Sequence, residues 1–158
     1  MRQMAAIGLI LLAGCAAAMP VPEWPIPPVG DSVEEIVVWV AANIRYATDT
    51  ELYGVTGYWA TPLETYSLRR GDCEDYCTLA LYLIHRDVGI DGYLVVGRLG
   101  DATHGWIRVD GADWEVELGR PQDEGMFVEV DVLTYEEAMR MVGYAARYLN
   151  LEDTNGER

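Results

Sequence analysis

A predicted β-hairpin centred on Asp110-Gly111 constrains the fold of this chain more than any other segment. An Asp-Gly pair is a strong signal for a two-residue hairpin loop, because both central residues need a positive φ angle. Folding Thr103–Leu118 about that loop sets His104 directly opposite Glu117. One face of the hairpin is then apolar: Ile107, Val109, Ala112, Trp114 and Val116. A slip of one residue would bury the charged side chains instead, so the register is self-consistent.

A cysteine upstream of the hairpin is a candidate nucleophile. Cys73 lies in the segment Gly-Asp-Cys-Glu-Asp-Tyr at 71–76 and begins a helix predicted over 73–87. The dipole of a helix lowers the pKa of a thiol at its N-terminus. His104 is the one of the two histidines that a carboxylate faces, at a β-carbon separation of about 5 Å. Since acyl transfer by a thiolate needs a base and an orienting acid, we expect a triad of Cys73, His104 and Glu117.

Three carboxylates beside the cysteine oppose that helix effect. Asp72, Glu74 and Asp75 would raise the pKa of a neighbouring thiol. Either they point away from it as caps of the helix start, or a cation neutralises some of them.

The second cysteine of this helix has a simpler interpretation. Cys77 lies one turn later among apolar residues, which indicates a buried structural thiol. A zinc site made of Cys73, Cys77 and His104 is a weak alternative, because the spacing fits no common structural zinc site.

Three motifs together resemble the transglutaminase-like cysteine peptidase superfamily. They are Tyr-Trp-Ala-Thr-Pro-Leu-Glu-Thr at 58–65, the cysteine segment at 71–76, and His-Gly-Trp at 104–106. The match covers roughly residues 32–120. The resemblance implies a papain-like core, in which a helix with the nucleophile at its N-terminus packs on an antiparallel sheet that carries histidine and acid. The acid is usually aspartate in that family, whereas the matching residue here is Glu117.

The resemblance also implies a chemistry: thiol-dependent hydrolysis of an amide or peptide, with acyl transfer to an amine left open. Related transglutaminases use an upstream tryptophan as an oxyanion donor, which nominates Trp59; the alternative is that Trp59 only packs the loop. Some peptidases of the family hold calcium with acids flanking the nucleophile, which suggests Asp72 and Glu74. No other cofactor is required. The second candidate function is a catalytically silent peptide-binding module of the same fold.

The N-terminus predicts a lipid anchor. An apolar stretch, too short for a permanent membrane span, ends in Leu-Ala-Gly-Cys at 12–15 and resembles a bacterial lipoprotein signal that is cut before Cys15. The alternative is an ordinary secretory signal cut near residues 16–18. Five prolines within Pro20–Pro28 predict a stiff spacer. We therefore expect a protein of the bacterial cell envelope, held at the membrane by a lipid and facing the periplasm or exterior.

Composition and the order of elements indicate the number of domains, the fold class and the kinds of partner that are excluded. With 158 residues, 51% of them hydrophobic, the chain is long enough for one domain with its own core. A net charge of −15 repels phosphate backbones and makes nucleic-acid binding improbable.

The order of the predicted elements indicates the fold class. A capping box of Ser32 with Glu35 predicts a helix through about Tyr46, and residues 47–70 indicate a loop with short elements. The helix that begins at Cys73 is expected to end at Gly89. Strands are expected over 93–99, in the hairpin and over 126–130, and Thr134 with Glu137 predicts the cap of a last helix that reaches Leu149. Helices followed by strands indicate an α+β fold. We expect a signal peptide over 1–14, a tether over 15–31, the domain over 32–151 and a frayed tail over 152–158; the oligomeric state stays open.

Overall fold

The computed structural model describes residues 21–123 and 125–142 and shows the expected α+β architecture. The elements are α1 (Val33–Asn43), β1 (Arg45–Tyr46), α2 (Asp49–Tyr53), α3 (Pro62–Leu68), β2 (Arg70–Gly71), α4 (Cys73–Leu83), β3 (Tyr93–Leu99), β4 (Ala102–Val109), β5 (Ala112–Glu115), β6 (Arg120–Pro121), β7 (Val128–Thr134) and α5 (135–142). The predicted signal peptide with Cys15, the end of the last helix and the tail over 152–158 lie outside the described residues. Within these residues, no helix combines the length and the apolar character that a membrane crossing needs.

An antiparallel sheet packed against α4 forms the centre of the molecule. Its strand order is β6-β5-β4-β3-β7, and a separate two-stranded parallel pair joins β1 to β2. Apolar side chains of α4 meet the sheet in a core where Leu79, Leu83, Leu94 and Ile107 are 0% exposed. Burial of such side chains is the main stabilising term in a domain of this size. The cysteine helix is thus fixed against the histidine strand, as the predicted papain-like arrangement requires.

The predicted hairpin register is correct near the loop and fails further from it. Ile107 pairs with Trp114, and Val109 pairs with Ala112. The pairing of β4 with β5 ends at Ile107 and Trp114. Residues 116–119 then form a turn, in which Gly119, at φ 66°, donates its N–H to the Val116 carbonyl. The chain then returns as β6 and pairs with β5. The expected pairing of His104 with Glu117 is therefore wrong.

Two short helices occupy the segment over 47–70, for which the sequence predicts a loop with short elements. Each begins with a reciprocal capping box, Thr48 with Glu51 for α2 and Thr61 with Glu64 for α3. In such a box the threonine hydroxyl and the glutamate carboxylate satisfy otherwise free backbone N–H groups. These helices shape the wall beside the cysteine.

Other boundaries differ modestly from the predictions. Ser32 caps α1 as expected, but the helix ends at Asn43, three residues earlier than predicted, because the next residues enter β1. α4 continues into a π-helical turn at Ile84–Val88 and ends at Gly89, as expected. The last strand runs to Thr134 rather than over 126–130. The predicted cap of the last helix, Thr134 with Glu137, is present.

The second half of the proline-rich segment packs on the domain and is not a free spacer. Ile26 is 5% exposed, and Trp24 exchanges two hydrogen bonds with the Tyr82 hydroxyl, at 2.8 and 3.2 Å. Arg86 binds the carbonyls of Ile26 and Pro27. Because these residues bury apolar surface against α4, the domain begins before residue 32.

Candidate functional site

Cys73 lies at the first position of α4, on the side that faces β4. Asp72 is the N-cap residue, and the Asp75 carboxylate accepts the Asp72 N–H at 3.4 Å. The same carboxylate accepts the Ala60 N–H at 2.9 Å, so it also ties the preceding loop to the helix start. Asp75 therefore acts as a buried cap, which is one of the two roles expected for these carboxylates.

The thiol of Cys73 is neutral in this arrangement. Burial raises its pKa most, and the charge of Glu74 raises it further. The thiol donates a hydrogen bond to Glu74 Oε2 at 3.2 Å, which also stabilises the protonated form. One effect acts in the opposite direction, because the nearby backbone N–H of Gly105 lowers the pKa of the thiol. The expected lowering of the thiol pKa by the helix start is outweighed by burial and acidic neighbours.

His104 is oriented by Glu115, not by the predicted Glu117. The distance from His104 Nε2 to Glu115 Oε2 is 2.8 Å, and the two side chains are 17% and 8% exposed. The pKa of His104 is raised mainly by this hydrogen bond, with burial opposing it. Glu117 lies in the turn after β5, near enough for its charge to act on His104, but it makes no hydrogen bond to the ring within the described structure.

The backbone of β4 brings cysteine and histidine together. Gly105 packs against the backbone of Cys73, since a β-carbon at Gly105 would lie 3.9 Å from the Cys73 carbonyl, and it directly follows His104 in the chain. Glu115 occupies Nε2 of His104, which leaves Nδ1 as the nitrogen available to a thiol. The Phe127 ring covers the imidazole at a centroid distance of 5.0 Å. Cys73 thus lies beside the strand that carries the His104–Glu115 pair, and these three residue types are the ones that thiol acyl transfer uses.

Cys77, the second cysteine of α4, lies in a structural position within the core. Cys77 is 0% exposed within the core, as expected, and both Cys73 and Cys77 are free thiols. Among the described residues, the ligand atoms of Cys73, Cys77 and His104 do not lie close enough together to hold one metal ion.

Two aromatic residues lie in segments that are anchored near the start of α4. Trp59 is partly buried, and the chain on either side of it is anchored, since Tyr58 N–H donates to Asp49 and Ala60 N–H donates to Asp75. Tyr46 is 54% exposed; its pKa is raised first by burial and then by the charges of Cys73 and the acids around it. Tyr46 had no sequence signal, because it reaches the site only through the pairing of β1 with β2.

A third carboxylate joins the two that the sequence nominated for calcium. Asp49, Asp72 and Glu74 each offer an oxygen, and these oxygens lie within 4.8 Å of one another. Asp49 is 4% exposed, and its Oδ1 has no hydrogen-bond partner among the described residues; the same holds for Asp72 Oδ1. Burial raises the pKa of both aspartates, and Glu74 adds to the shift.

This carboxylate cluster fits a calcium ion. Calcium takes oxygen ligands at about 2.3–2.6 Å, so ligands on opposite sides of one ion lie about 5 Å apart. Orphaned buried oxygens are costly without a partner, and a divalent cation would satisfy them. Asp49 has no local sequence signal, because only the tertiary structure brings α2 beside α4.

Comparison with known proteins relates parts of this chain to two others. A segment of 67 residues is 39% identical to the centrosomal protein of 76 kDa from Xenopus laevis, covering 39% of this chain and 10% of that protein. A solved structure, described as that of a candidate cysteine protease from Cytophaga hutchinsonii, is similar with a TM-score of 0.49 and 20% sequence identity. That similarity covers 67% of this chain and 36% of the other. The chain therefore spans well under half the length of either protein.

A family model gives a broader match. The model described as a transglutaminase-like domain matches residues 29–111, which is more than half of the chain. The matched range contains Cys73 and His104 and ends before Glu115. The chain therefore belongs to the transglutaminase-like domain family, as its cysteine and histidine motifs predicted.

Proposed function

We propose that this protein is a thiol-dependent amide or peptide hydrolase with Cys73, His104 and Glu115 as its catalytic residues. The observation that carries the proposal is the placement of Cys73 at the start of α4 beside the strand that carries His104. There α4 packs against β4 next to Gly105, and the adjacent His104 is paired with Glu115 at 2.8 Å. A hydrolase needs this order of nucleophile, base and orienting acid.

The reaction follows from the free nitrogen of His104. Nδ1 takes the proton of the Cys73 thiol as the sulfur attacks the substrate carbonyl, and Glu115 stabilises the imidazolium that forms. The imidazolium then protonates the leaving amine, the C–N bond breaks, and a thioester remains on Cys73. Water, deprotonated by His104, attacks the thioester and releases a carboxylic acid and the free thiol. An amine in place of water gives acyl transfer.

The negative oxygen of the tetrahedral intermediate needs hydrogen-bond donors. The Cys73 backbone N–H lies at the helix start, where N–H groups have no partner within the helix. The indole N–H of Trp59 is the second donor in this proposal, because its loop is fixed beside α4 by the Ala60–Asp75 hydrogen bond.

Calcium belongs to the same proposal. Asp49, Asp72 and Glu74 would hold the ion, and a bound cation would supply neutralisation of the acidic charge beside the thiol. In the cation-free arrangement, Glu74 holds the thiol in its protonated form.

The hydrogen bond from the Cys73 thiol to Glu74 supports the second candidate function. A buried thiol with a raised pKa, bonded to a carboxylate, is a poor nucleophile. In a catalytically silent peptide-binding module the thiol would stay protonated at all times. In a hydrolase the thiol pKa would fall when Glu74 moves away or its charge is neutralised.

One experiment separates the two functions. The protein is incubated, with calcium, with an unfolded protein substrate, and new chain termini are identified by mass spectrometry. A parallel sample contains hydroxylamine, which converts a thioester into a hydroxamate. A hydrolase yields new termini and hydroxamates, and Cys73→Ala loses both by several orders of magnitude. Wild-type protein that yields neither, with or without calcium, supports the silent binding module.

Membrane attachment is a separate part of the proposal. It rests on the residues at 12–15, which precede the described structure, and it requires cleavage before Cys15 and acylation of its thiol. Cys15→Ser should move the protein from the detergent phase to the aqueous phase in a partition experiment. Identical partitioning of the two proteins would contradict the lipid anchor.

A further inference from the structure

Three arginines that form no ion pair with any described residue line one cleft of this acidic protein. The chain has 11 basic residues and 26 acidic ones, and four of the described arginines are paired with carboxylates: Arg86, Arg108, Arg120 and Arg140. In contrast, Arg45, Arg69 and Arg70 form no ion pair within the described residues. They line a cleft of ≈ 420 Å³ together with Ala42, Asn43 and Leu68. No carboxylate belongs to this lining.

The guanidinium of Arg69 is held in place from one side. Its central carbon lies 4.1 Å from the centre of the Tyr66 ring and 5.1 Å from that of Trp39, and the two rings are stacked. Such cation–π contacts orient a guanidinium without using its N–H groups. Nη1 of Arg69 is buried and makes no hydrogen bond in the described part of the chain. A buried N–H without an acceptor is costly, which indicates that an acceptor is missing at this point.

The backbone at Arg69 is strained as well. Its φ is 55°, in the left-handed region that side chains other than glycine rarely adopt. Strain of this kind persists where the surrounding structure needs a particular side chain in a particular place. At this C-cap of α3, glycine would be the unstrained choice, yet the chain has an arginine.

The position of the cleft suggests an alternative role that the contacts do not support. It lies where α1 and α3 end, and arginines near helix C-termini commonly donate to the last free carbonyls. Among the described residues, the side chains of Arg45, Arg69 and Arg70 make no hydrogen bond to any carbonyl. The only arginine side chains that donate to backbone oxygens there are Arg86 and Arg120.

We propose that this cleft binds the phosphoryl group of a phosphorylated small ligand. Planar guanidinium groups match the oxygens of phosphate with paired hydrogen bonds. Three positive charges exceed what a single carboxylate neutralises, and a phosphate or diphosphate matches them better. The cleft is larger than inorganic phosphate, and Leu68, at 48% exposure, offers apolar contact to an attached organic group. Neither Cys73 nor His104 lines the cleft, so this site is independent of the proposed hydrolase activity.

The test is a calorimetric titration of the full protein with phosphate, diphosphate and glycerol 3-phosphate at low ionic strength. Arg70→Gln should weaken binding about tenfold or more, because charge-assisted hydrogen bonds are lost. Arg98→Gln is the matched control, since Arg98 is also exposed and without an ion pair within the described residues, but it does not line the cleft. Arg98→Gln removes the same charge as Arg70→Gln and should leave the affinity within about twofold of the wild-type value.

Further samples identify the source of the phosphoryl group. Binding of glycerol 3-phosphate in solution assigns the site to free phosphorylated ligands. Binding only to phosphatidylcholine vesicles that contain phosphatidic acid, lost in Arg70→Gln, assigns it to a lipid headgroup. The proposal is overturned if no phosphoryl compound binds saturably, or if Arg70→Gln and Arg98→Gln weaken binding equally. Both variants replace exposed side chains, so circular dichroism should show unchanged folding.

Discussion

The choice between two glutamates decides how His104 works. Glu115→Gln removes the carboxylate whose hydrogen bond raises the pKa of His104, so that pKa should fall toward its ordinary value. Turnover should drop by about 10²-fold or more, because the imidazolium loses its stabilising partner. Proton NMR of the His104 ring during a pH titration measures the first effect, and the rate of substrate cleavage measures the second.

Glu117→Gln is the matched control for this prediction. Glu117 also lies near His104, but it makes no hydrogen bond to the ring, so its loss should change turnover by only about threefold. A larger loss in Glu117→Gln than in Glu115→Gln would restore Glu117 as the third catalytic residue.

Trp59 tests the oxyanion assignment. Trp59→Phe keeps most of the ring and deletes the indole N–H donor. If that N–H binds the oxyanion, turnover should fall by about 10²-fold while the melting temperature is unchanged. Parallel losses of activity and stability would instead assign Trp59 to packing against the core, where its side chain is partly buried.

Asp49 reports on the cation site through stability. Calcium that binds the folded protein should raise its melting temperature in a concentration-dependent way. Asp49→Asn should abolish most of this increase, and should itself stabilise the calcium-free protein near neutral pH by removing a buried charge. Asp101→Asn, at an exposed position outside the cluster, should respond to calcium like the wild type. An equal response of Asp49→Asn would exclude this residue as a ligand.

At the scale of elements, the Tyr82 hydroxyl contributes to holding the N-terminal segment on α4. Tyr82→Phe removes both hydrogen bonds to the Trp24 backbone while keeping the edge-to-face contact of the two rings. The free energy of unfolding should fall by about 1–2 kcal/mol, as measured by urea denaturation. Tyr93→Phe is the control, because its exposed hydroxyl makes no hydrogen bond to the described residues. Equal stability of the two variants would mean that the segment contributes little to the domain.

The elements that the sequence predicted well are those with local signals. The Asp110-Gly111 loop fixes the pairing of Ile107 with Trp114, and the apolar spacing after Cys73 identifies α4. The signals for α2 and α3 were also local, since a threonine precedes a glutamate by three residues in both. The sequence predicts only unspecified short elements there, because each helix is just five to seven residues long.

The site was predictable only in part, for a physical reason. Cys73 and His104 belong to motifs, but the acid depends on where β5 ends. A regular alternation of side chains along the two strands would have continued the hairpin to Glu117. The turn over 116–119 ends the pairing of β4 with β5 before that residue. The Glu115 side chain then reaches His104 diagonally across the strands, a contact that long side chains can make. Asp49 and Tyr46 are brought in by tertiary packing, which no local pattern encodes.

On the scale of the whole molecule, the buried acids determine how stability depends on pH. Burial raises the pKa of Asp75 to about 7 and also raises the pKa values of Asp49 and Asp72. Unfolded aspartates titrate near pH 3.9, so between about pH 4 and 7 the folded state binds more protons than the unfolded state. Stability must then fall as the pH rises through this range.

His104 acts in the same direction. Its raised pKa gives stability that is fully present below about pH 6.5, its unfolded value, and is lost as the pH rises through the folded value. Asp113 has a lowered pKa because of Arg108, so it opposes this trend only below about pH 4, where its carboxylate becomes protonated. Urea denaturation in a chelator should therefore show a larger free energy of unfolding at pH 5 than at pH 8. Stability that increases from pH 5 to pH 8 would mean that these carboxyl groups are solvated or paired in the folded protein, and the orphaned oxygens of Asp49 and Asp72 would then need no cation.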